Sequence, residues 1–285
     1  MKRFVLTCLF SAAALCASAA PAVQMNESVL PCDGGLFISN YGTETPAPAP
    51  GKGYILRKEG GRLSVFLPPQ PALRAPTGMA VYGDWFFAAN QTNVLAWDRR
   101  DLSRAPRIIA FAPDDTAVND LVVSGSTLYI SVTNTDRIYA VDLDGTDWTP
   151  RLWLCAPGPN GLAVHGRTMY LVSSPHDYAR PGKENVVYAV DDITRPALRP
   201  LNATPGIYDG VAVSADGRTV YASDWTSASV IAIDAATGRE TTFYHEDGLS
   251  PADIAADDTS LYIPDMLHSR VLAIDLATGA ARVIA

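Results

Sequence analysis

The chain has 285 residues, 22 Lys and Arg against 30 Asp and Glu, and a formal charge of -8. An apolar share of 48% supplies a core and excludes wholesale disorder. The acidic balance excludes nucleic acid as the main partner and a polybasic membrane-surface role, since both need a basic face.

The chain opens with Lys2 and Arg3, an apolar run from Phe4 to Cys16, and the small residues Ala17-Ser-Ala19. This is the pattern of a secretory signal peptide over 1–19, with cleavage at 19/20 or 22/23. Leu15 before Cys16 fits a bacterial lipoprotein signal poorly. Removal leaves 20 basic and 30 acidic residues, near -10. No later apolar run approaches the ~18 residues of a membrane span. The expectation is an exported protein, periplasmic or secreted, without a transmembrane segment. Cys32 and Cys155 remain after processing. Two cysteines make no disulfide scaffold, and no CxxC or His/Cys spacing suggests zinc or haem, so both are expected to be buried and unpaired.

From Glu27 onward one pattern recurs six times. Glu27-Ser-Val-Leu-Pro31 precedes Leu36-Phe-Ile-Ser-Asn40, and Thr77-Gly-Met-Ala-Val81 precedes Phe86-Phe-Ala-Ala-Asn90. Asn119-Asp-Leu-Val-Val123 precedes Leu128-Tyr-Ile-Ser-Val132, and Asn160-Gly-Leu-Ala-Val164 precedes Met169-Tyr-Leu-Val-Ser173. Asp209-Gly-Val-Ala-Val213 precedes Val220-Tyr-Ala-Ser-Asp224, and Asp253-Ile-Ala-Ala-Asp257 precedes Leu261-Tyr-Ile-Pro-Asp265. A third strand follows in each copy, ending in Asp98, Asp142, Asp191, Asp234 and Asp275 in five of the six, and a weaker fourth strand closes each. The copies start 50, 42, 41, 49 and 44 residues apart. A four-strand unit of about 40–50 residues is the period of a β-propeller blade. A β-sandwich would not repeat the third-strand aspartate. The predicted fold is therefore all-β, a single six-bladed β-propeller over 23–285 with four-stranded antiparallel blades. Their approximate bounds are 27–67, 75–113, 117–156, 158–203, 207–246 and 251–285. All four strands of the last blade stand in sequence, so closure either lacks a large strand exchange or uses 22–26 as an added edge.

In a propeller the first strand of each blade lines the central channel, and its first residue sits at one mouth. Those residues are Glu27, Thr77, Asn119, Asn160, Asp209 and Asp253, all of them oxygen carriers. Carboxylates and amide carbonyls converging on one axis suit a hard cation, Ca²⁺ before Mg²⁺ or Mn²⁺. Asn-Gly, Asp-Gly and Thr-Gly are also ordinary turn formers; Glu27 is not a turn favourite and carries most of the weight. Second strands end at or near Asn40, Asn90, Asn134, Asp224 and Asp265, read here as a supporting ring. The loops beyond form a rim that holds Tyr41, His176, Tyr178, Arg180, Trp225 and His268, with a Pro-rich stretch in 41–53 as a stiff wall. His165 is placed at the opposite mouth. No G-x-S-x-G elbow, P-loop or dinucleotide fingerprint is present.

Glu27, Asn119, Asn160-Gly161 and Asp209-Gly210, in this blade order, resemble the gluconolactonase/regucalcin (senescence-marker-protein) family of six-bladed propellers, within the NHL-type superfamily. The resemblance implies a divalent cation held by Glu27, Asn160 and Asp209. Ca²⁺ is the first expectation, with Mg²⁺, Mn²⁺ or Zn²⁺ as alternatives. Asn119 would orient substrate, and Asp209 would also serve as general base. It implies hydrolysis of a small-molecule lactone or related ester. Thr77 and Asp253 are possible outer contributors, with Tyr41, His176, Trp225 and His268 on the rim. Two departures stand out. Glu27 is followed by Ser-Val-Leu-Pro where the family has Glu-x-Pro-x-Trp. Ala117 stands where sugar-lactonase members can carry Arg, which counts against aldonolactone specificity. A non-catalytic propeller binding a glycan, peptide or envelope protein is the second reading, and a strictosidine-synthase-like enzyme the third. The sequence carries no signal of oligomeric state.

Overall fold

The structure, a computed structural model, describes residues 21–285; the expected signal segment lies outside them. Six four-stranded antiparallel sheets follow one another along the chain, each built from four consecutive strands. They are the blades of a six-bladed propeller. The only helical turn among the described residues is the 3-10 turn Thr133–Thr135. No helix among these residues is long and apolar enough to cross a membrane.

The first strands are Asn26–Cys32, Met79–Tyr82, Val118–Ser124, Pro159–His165, Tyr208–Val213 and Ala255–Ala256. Second strands such as Leu128-Tyr-Ile-Ser-Val132 are buried almost throughout, because both faces of a blade pack against neighbours. Outer strands such as Arg107–Ala110 and Ala281–Val283 lie mostly in solvent. Val, Ile, Tyr and Phe dominate the inner strands because branched and aromatic side chains fill a pleated, two-sided surface.

The core is not central. It consists of apolar layers between neighbouring blades. Phe37 and Ile55 meet Met79 and Phe86, and Phe87 and Val94 meet Leu121 and Ile130. The ring closes through Val29, Ile38 and Leu56 of the first blade against Val271, Ala255 and Tyr262 of the last. Among the described residues no strand is exchanged there. The Asp253 N–H donates to Glu27 O (2.9 Å), Asn26 Nδ2 to Arg270 O (3.0 Å) and the Met25 N–H to Ser269 Oγ (3.1 Å). Residues 22–25 stay on the first blade, where the Tyr41 N–H donates to Met25 O and Tyr54 Oη to Ala22 O.

Four of the third-strand aspartates stop their strands. Asp98, Asp142, Asp234 and Asp275 each accept a backbone N–H two residues on, at 3.0–3.2 Å, an arrangement that turns the chain. Asp191 pairs with Arg199 instead (2.8 Å). The cysteines are unpaired as expected, but they are not buried: Cys155 is exposed and Cys32 partly so. Both stand at strand ends, Cys155 on an outer strand and Cys32 at the edge of the apolar layer between the first two blades.

Near the axis the first strands pass so closely that side chains do not fit everywhere. A Cβ on Gly210 would stand 2.6 Å from the Asp253 Cα and still closer to the Ile254 nitrogen, and one on Gly161 would stand 2.8 Å from the Gly210 Cα. Both obstacles are backbone, which cannot rotate away. Gly210→Ala is therefore expected to destabilise the fold by about 3 kcal/mol, at the upper end of ordinary overpacking costs, read as a lower urea midpoint with an unchanged slope.

Candidate functional site

The first strands are irregular at one place. Pairing with the second strand slips between Asn26 and Val29, between Val118 and Leu121, between Pro159 and Leu162, and between Tyr208 and Val211. A bulge of this kind frees a backbone N–H and re-aims the side chains around it. In blades one, three and five the freed N–H groups of Ser28, Asp120 and Gly210 donate to Ser39, Ser131 and Ser223 Oγ (2.9, 2.9 and 2.7 Å). The bulges thus set Glu27, Asn119, Asn160 and Asp209 at equivalent points around the axis.

Register also corrects one member of the expected ring. Val29, Met79, Leu121, Leu162 and Val211 face Ile38, Ala88, Ile130, Leu171 and Ala222. In the last blade Ala255 faces Tyr262, which sets Ile254 opposite Ile263 and puts Ala252, not Asp253, in the place of Glu27. The Asp253 N–H bonds Glu27 O just as the Gly78 N–H bonds Asn119 O. Asp253 is one step deeper, level with Ser28, Gly78, Asp120, Gly161 and Gly210. Ser28 Oγ donates to it (2.6 Å), and it opens with Asp120 and His165 on a smaller cavity at the opposite mouth.

At the near mouth lies a cavity of about 600 Å³. Glu27, Asn119 and Asp209 reach it from the bulges. Tyr41, Gln91, Ser174, Trp225 and Met266, the residues that follow second strands, surround it, with Pro46, Pro48, Tyr178 and Ile207 above. Asn160 is wholly buried beside Ser174. Thr77 is buried too, and its hydroxyl is used on Asn119 O (2.6 Å). His176 does not reach this cavity; it bonds Asp136 (2.8 Å) beside a separate cleft that Arg180 also lines. Nor does His268, which bonds Asp265 in an ion-pair group with Arg270 and Glu246. The supporting ring expected at the second-strand ends has another task. Asn40, Asn90, Asn134, Asp224 and Asp265 accept backbone N–H groups of Gln24, Arg74, Thr116, Ile207 and Ser250, tying down the segment that enters each blade.

Four buried side-chain oxygens among the described residues have no hydrogen-bond partner: Asn26 Oδ1, Glu27 Oε2, Asn119 Oδ1 and Asn160 Oδ1. Three belong to the one ring. Their orientation is enforced. Thr133 Oγ donates its single proton to Pro159 O (2.8 Å), and Ser174 Oγ donates to Tyr208 O. Each hydroxyl is then only an acceptor for the neighbouring amide, from Asn119 Nδ2 (3.5 Å) and Asn160 Nδ2 (3.3 Å). Each amide nitrogen is thereby turned to its hydroxyl, that of Asn160 also toward Asp209, and each carbonyl oxygen away from the hydroxyl. On the fifth blade Trp225 occupies the hydroxyl's place, and its Nε1 donates to Asp209 Oδ2 (3.0 Å).

Burial, joined by the Asp209, Asp253 and Asp120 charges, holds Glu27 well above the usual carboxylate range. Burial pushes Asp209 up to about 6 against the opposing bonds of Trp225 and Asn160, and pushes Asp120 up to about 7. Asp253 is raised well above its ordinary value, by burial first and then by Asp120. Among the described residues no three His, Cys, Asp or Glu side chains gather as a metal site; the convergent oxygens are two carboxylates and two amides.

No known family matches the chain, and no curated protein matches it in sequence. Solved structures match it in fold. The structure of a nidogen/laminin complex aligns at a TM-score of 0.64 and 17% identity, over 82% of this chain and 89% of that one. Virginiamycin B lyase from Staphylococcus aureus aligns at 0.62 and 10%, over 90% and 83%. A streptogramin B lyase aligns at 0.55 and 14%, over 92% and 74%. At such identities the likeness is one of fold, a six-bladed propeller that serves enzymes and binding proteins alike.

The buried acids make stability depend on pH. A carboxyl whose pKa is raised on folding holds its proton more tightly in the folded state, so its contribution is full below the unfolded value, 3.8 for Asp, and is lost as pH rises through 6 to 7. Surface aspartates shifted the other way, such as Asp98, lowered to about 2 mainly by Arg100, act only below that window. In chelator the melting temperature is expected to fall between pH 5 and pH 8. A flat or rising profile would mean that the channel acids are not held protonated by folding.

Proposed function

We propose that the protein is a metal-dependent hydrolase of a small lactone or related ester. The observation that supports it is the set of unpaired oxygens on Glu27 and Asn119, at the floor of the cavity with Asp209, and on the buried Asn160 beside Asp209. A buried oxygen without a donor costs about 1–3 kcal/mol, and a hard divalent cation is the partner that relieves several at once. Glu27, Asn160 and Asp209 would hold it, with Asn119 alongside; an all-oxygen donor set of this kind favours Ca²⁺ over softer metals. Such an ion supplies Lewis-acid polarisation of a carbonyl oxygen.

The remaining work falls to side chains. Asp209, near 6, is mostly ionised at neutral pH and close enough to it to exchange a proton. It takes one proton from a water whose oxygen bonds to the carbonyl carbon. The carbon–oxygen bond to the leaving alkoxide then breaks, and the alkoxide takes that proton back. Trp225 holds the Asp209 carboxylate in one orientation. The Asn119 amide, fixed through Thr133, positions the substrate, and the aromatic and proline walls limit access of bulk water. A non-catalytic binding module remains the second reading, supported by the same aromatic rim.

Calorimetry on chelator-stripped protein should show saturable Ca²⁺ binding, weakened at least ten-fold in Glu27→Gln. Absence of binding with Ca²⁺, Mg²⁺, Mn²⁺ and Zn²⁺ would remove the metal. Asp209→Asn, with its melting temperature retained, should lower lactone or ester turnover by about 10²-fold or more; undiminished turnover would remove Asp209 as the base.

A further inference from the structure

We propose that the cavity selects a neutral substrate with an apolar, aryl- or alkyl-sized body and rejects polyhydroxylated and anionic ones. This rests on the hydrolase reading and names its substrate class. The cavity divides into two zones. Its floor carries the oxygens of Glu27, Asn119 and Asp209, and its walls are Tyr41, Pro46, Pro48, Tyr178, Trp225 and Met266. Apart from the Gln91 amide and the two tyrosine hydroxyls, those walls are ring and aliphatic surface, which gains free energy by covering apolar area. A volume of about 600 Å³ lies in the range of ordinary small-molecule pockets.

Several donors at the floor are already committed: Trp225 Nε1 is used on Asp209, Ser174 Oγ on Tyr208 O, and Thr133 Oγ, behind the lining, on Pro159 O. Among the described lining residues the side-chain donors left are the Gln91 amide and the Tyr41 and Tyr178 hydroxyls. With a cation on the floor oxygens, a sugar-like ring carries more hydroxyls than these three groups can meet, a cost that falls on each unpaired group. Among the described residues no Lys, Arg or His lines the cavity. An anionic substrate would meet Glu27 and Asp209 with no side-chain cation to balance it.

Tyr178 shows that the wall is held in place. Its φ of 52° lies in the left-handed region, which a bulky residue occupies only when its surroundings enforce it. The residue is about half exposed, yet its hydroxyl end is desolvated and faces the Asp209 charge, which together raise its phenol. The ring thus closes one side of the cavity from an exposed loop.

The test separates substrate class from catalysis by using lactams, which keep the shape and carbonyl of a lactone and resist hydrolysis. Calorimetry with Ca²⁺ in excess would compare 3,4-dihydro-2-quinolinone, its ring-carboxylated analogue and gluconolactam. The neutral aryl lactam should bind at least ten-fold more tightly than either competitor. Tyr178→Ala should weaken it roughly ten-fold by removing aromatic cover and leave gluconolactam unaffected. Equal or tighter binding of gluconolactam or of the carboxylate would overturn the proposal while leaving the hydrolase reading in place, and so would binding of none of the three. Binding of the aryl lactam without turnover of 3,4-dihydrocoumarin would keep the pocket assignment and remove the hydrolase.

Discussion

Everything at the centre of this protein follows from crowding six strands around one axis. The strands approach until Gly161 and Gly210 touch neighbouring backbone. What remains along the axis is a set of polar groups that water cannot reach freely and that must be satisfied from within. Most are. Ser28 binds Asp253, Leu162 N–H binds Asp120, and Ser39, Ser131 and Ser223 take up the N–H groups released by bulges. Apart from Asn26, the exceptions lie at one level, where Glu27, Asn119 and Asn160 each keep an oxygen without a donor. It is at this level that the proposed cation would find its oxygens.

The two neighbours of that level have different characters. Above it, side chains that follow the second strands are large and largely apolar on three blades, the Gln91 amide on a fourth, and small hydroxyls on two, Thr133 and Ser174. The hydroxyls orient amides, and the larger residues shape a space. Below it, Asp120 and Asp253 share a tight corner with Ser28, where Asp120 raises the pKa of Asp253 and the hydrogen bond between them lowers that of Asp120. Their proximity lets protonation of the channel depend on both mouths, although only one mouth carries the aromatic wall.

The repeat was legible because each blade repeats its own small alphabet, an oxygen carrier, a branched strand, an aromatic-rich strand and a closing aspartate. Glu27, Asn119, Asn160 and Asp209 were legible for the same reason, since equivalent positions in a symmetric ring converge whatever their distance along the chain. Asp253 was misplaced because Asp253-Ile was matched to Asp209-Gly by residue type. Register is set by pairing, and Ala255 opposite Tyr262 shifts that aspartate by one step. His176 and His268 were grouped with the rim because they lie in the right loops, but a loop's aim depends on partners such as Asp136 and Asp265 that spacing does not disclose. Thr133 and Ser174 passed unnoticed because each acts across a blade boundary, on the carbonyls of Pro159 and Tyr208. Asp120 could have been seen: it and Asp253 are the acids where the other blades place Ser or Gly.

The closure has a mechanical consequence. Five of the six inter-blade boundaries are crossed by a covalent linker, and the sixth is not. There the first and last blades cohere through the Val29, Ile38 and Val271 layer and a few backbone bonds. Glu27 and Asp253 face each other across that seam, joined by the Asp253 N–H. Any breathing of the ring therefore begins beside the site, and a ligand bridging Glu27 to the opposite blades would act as a clasp on the whole wheel. Because every blade keeps four consecutive strands, the break could be moved to any other boundary by circular permutation without dividing a sheet. Only the position of the weak seam relative to Glu27 would change.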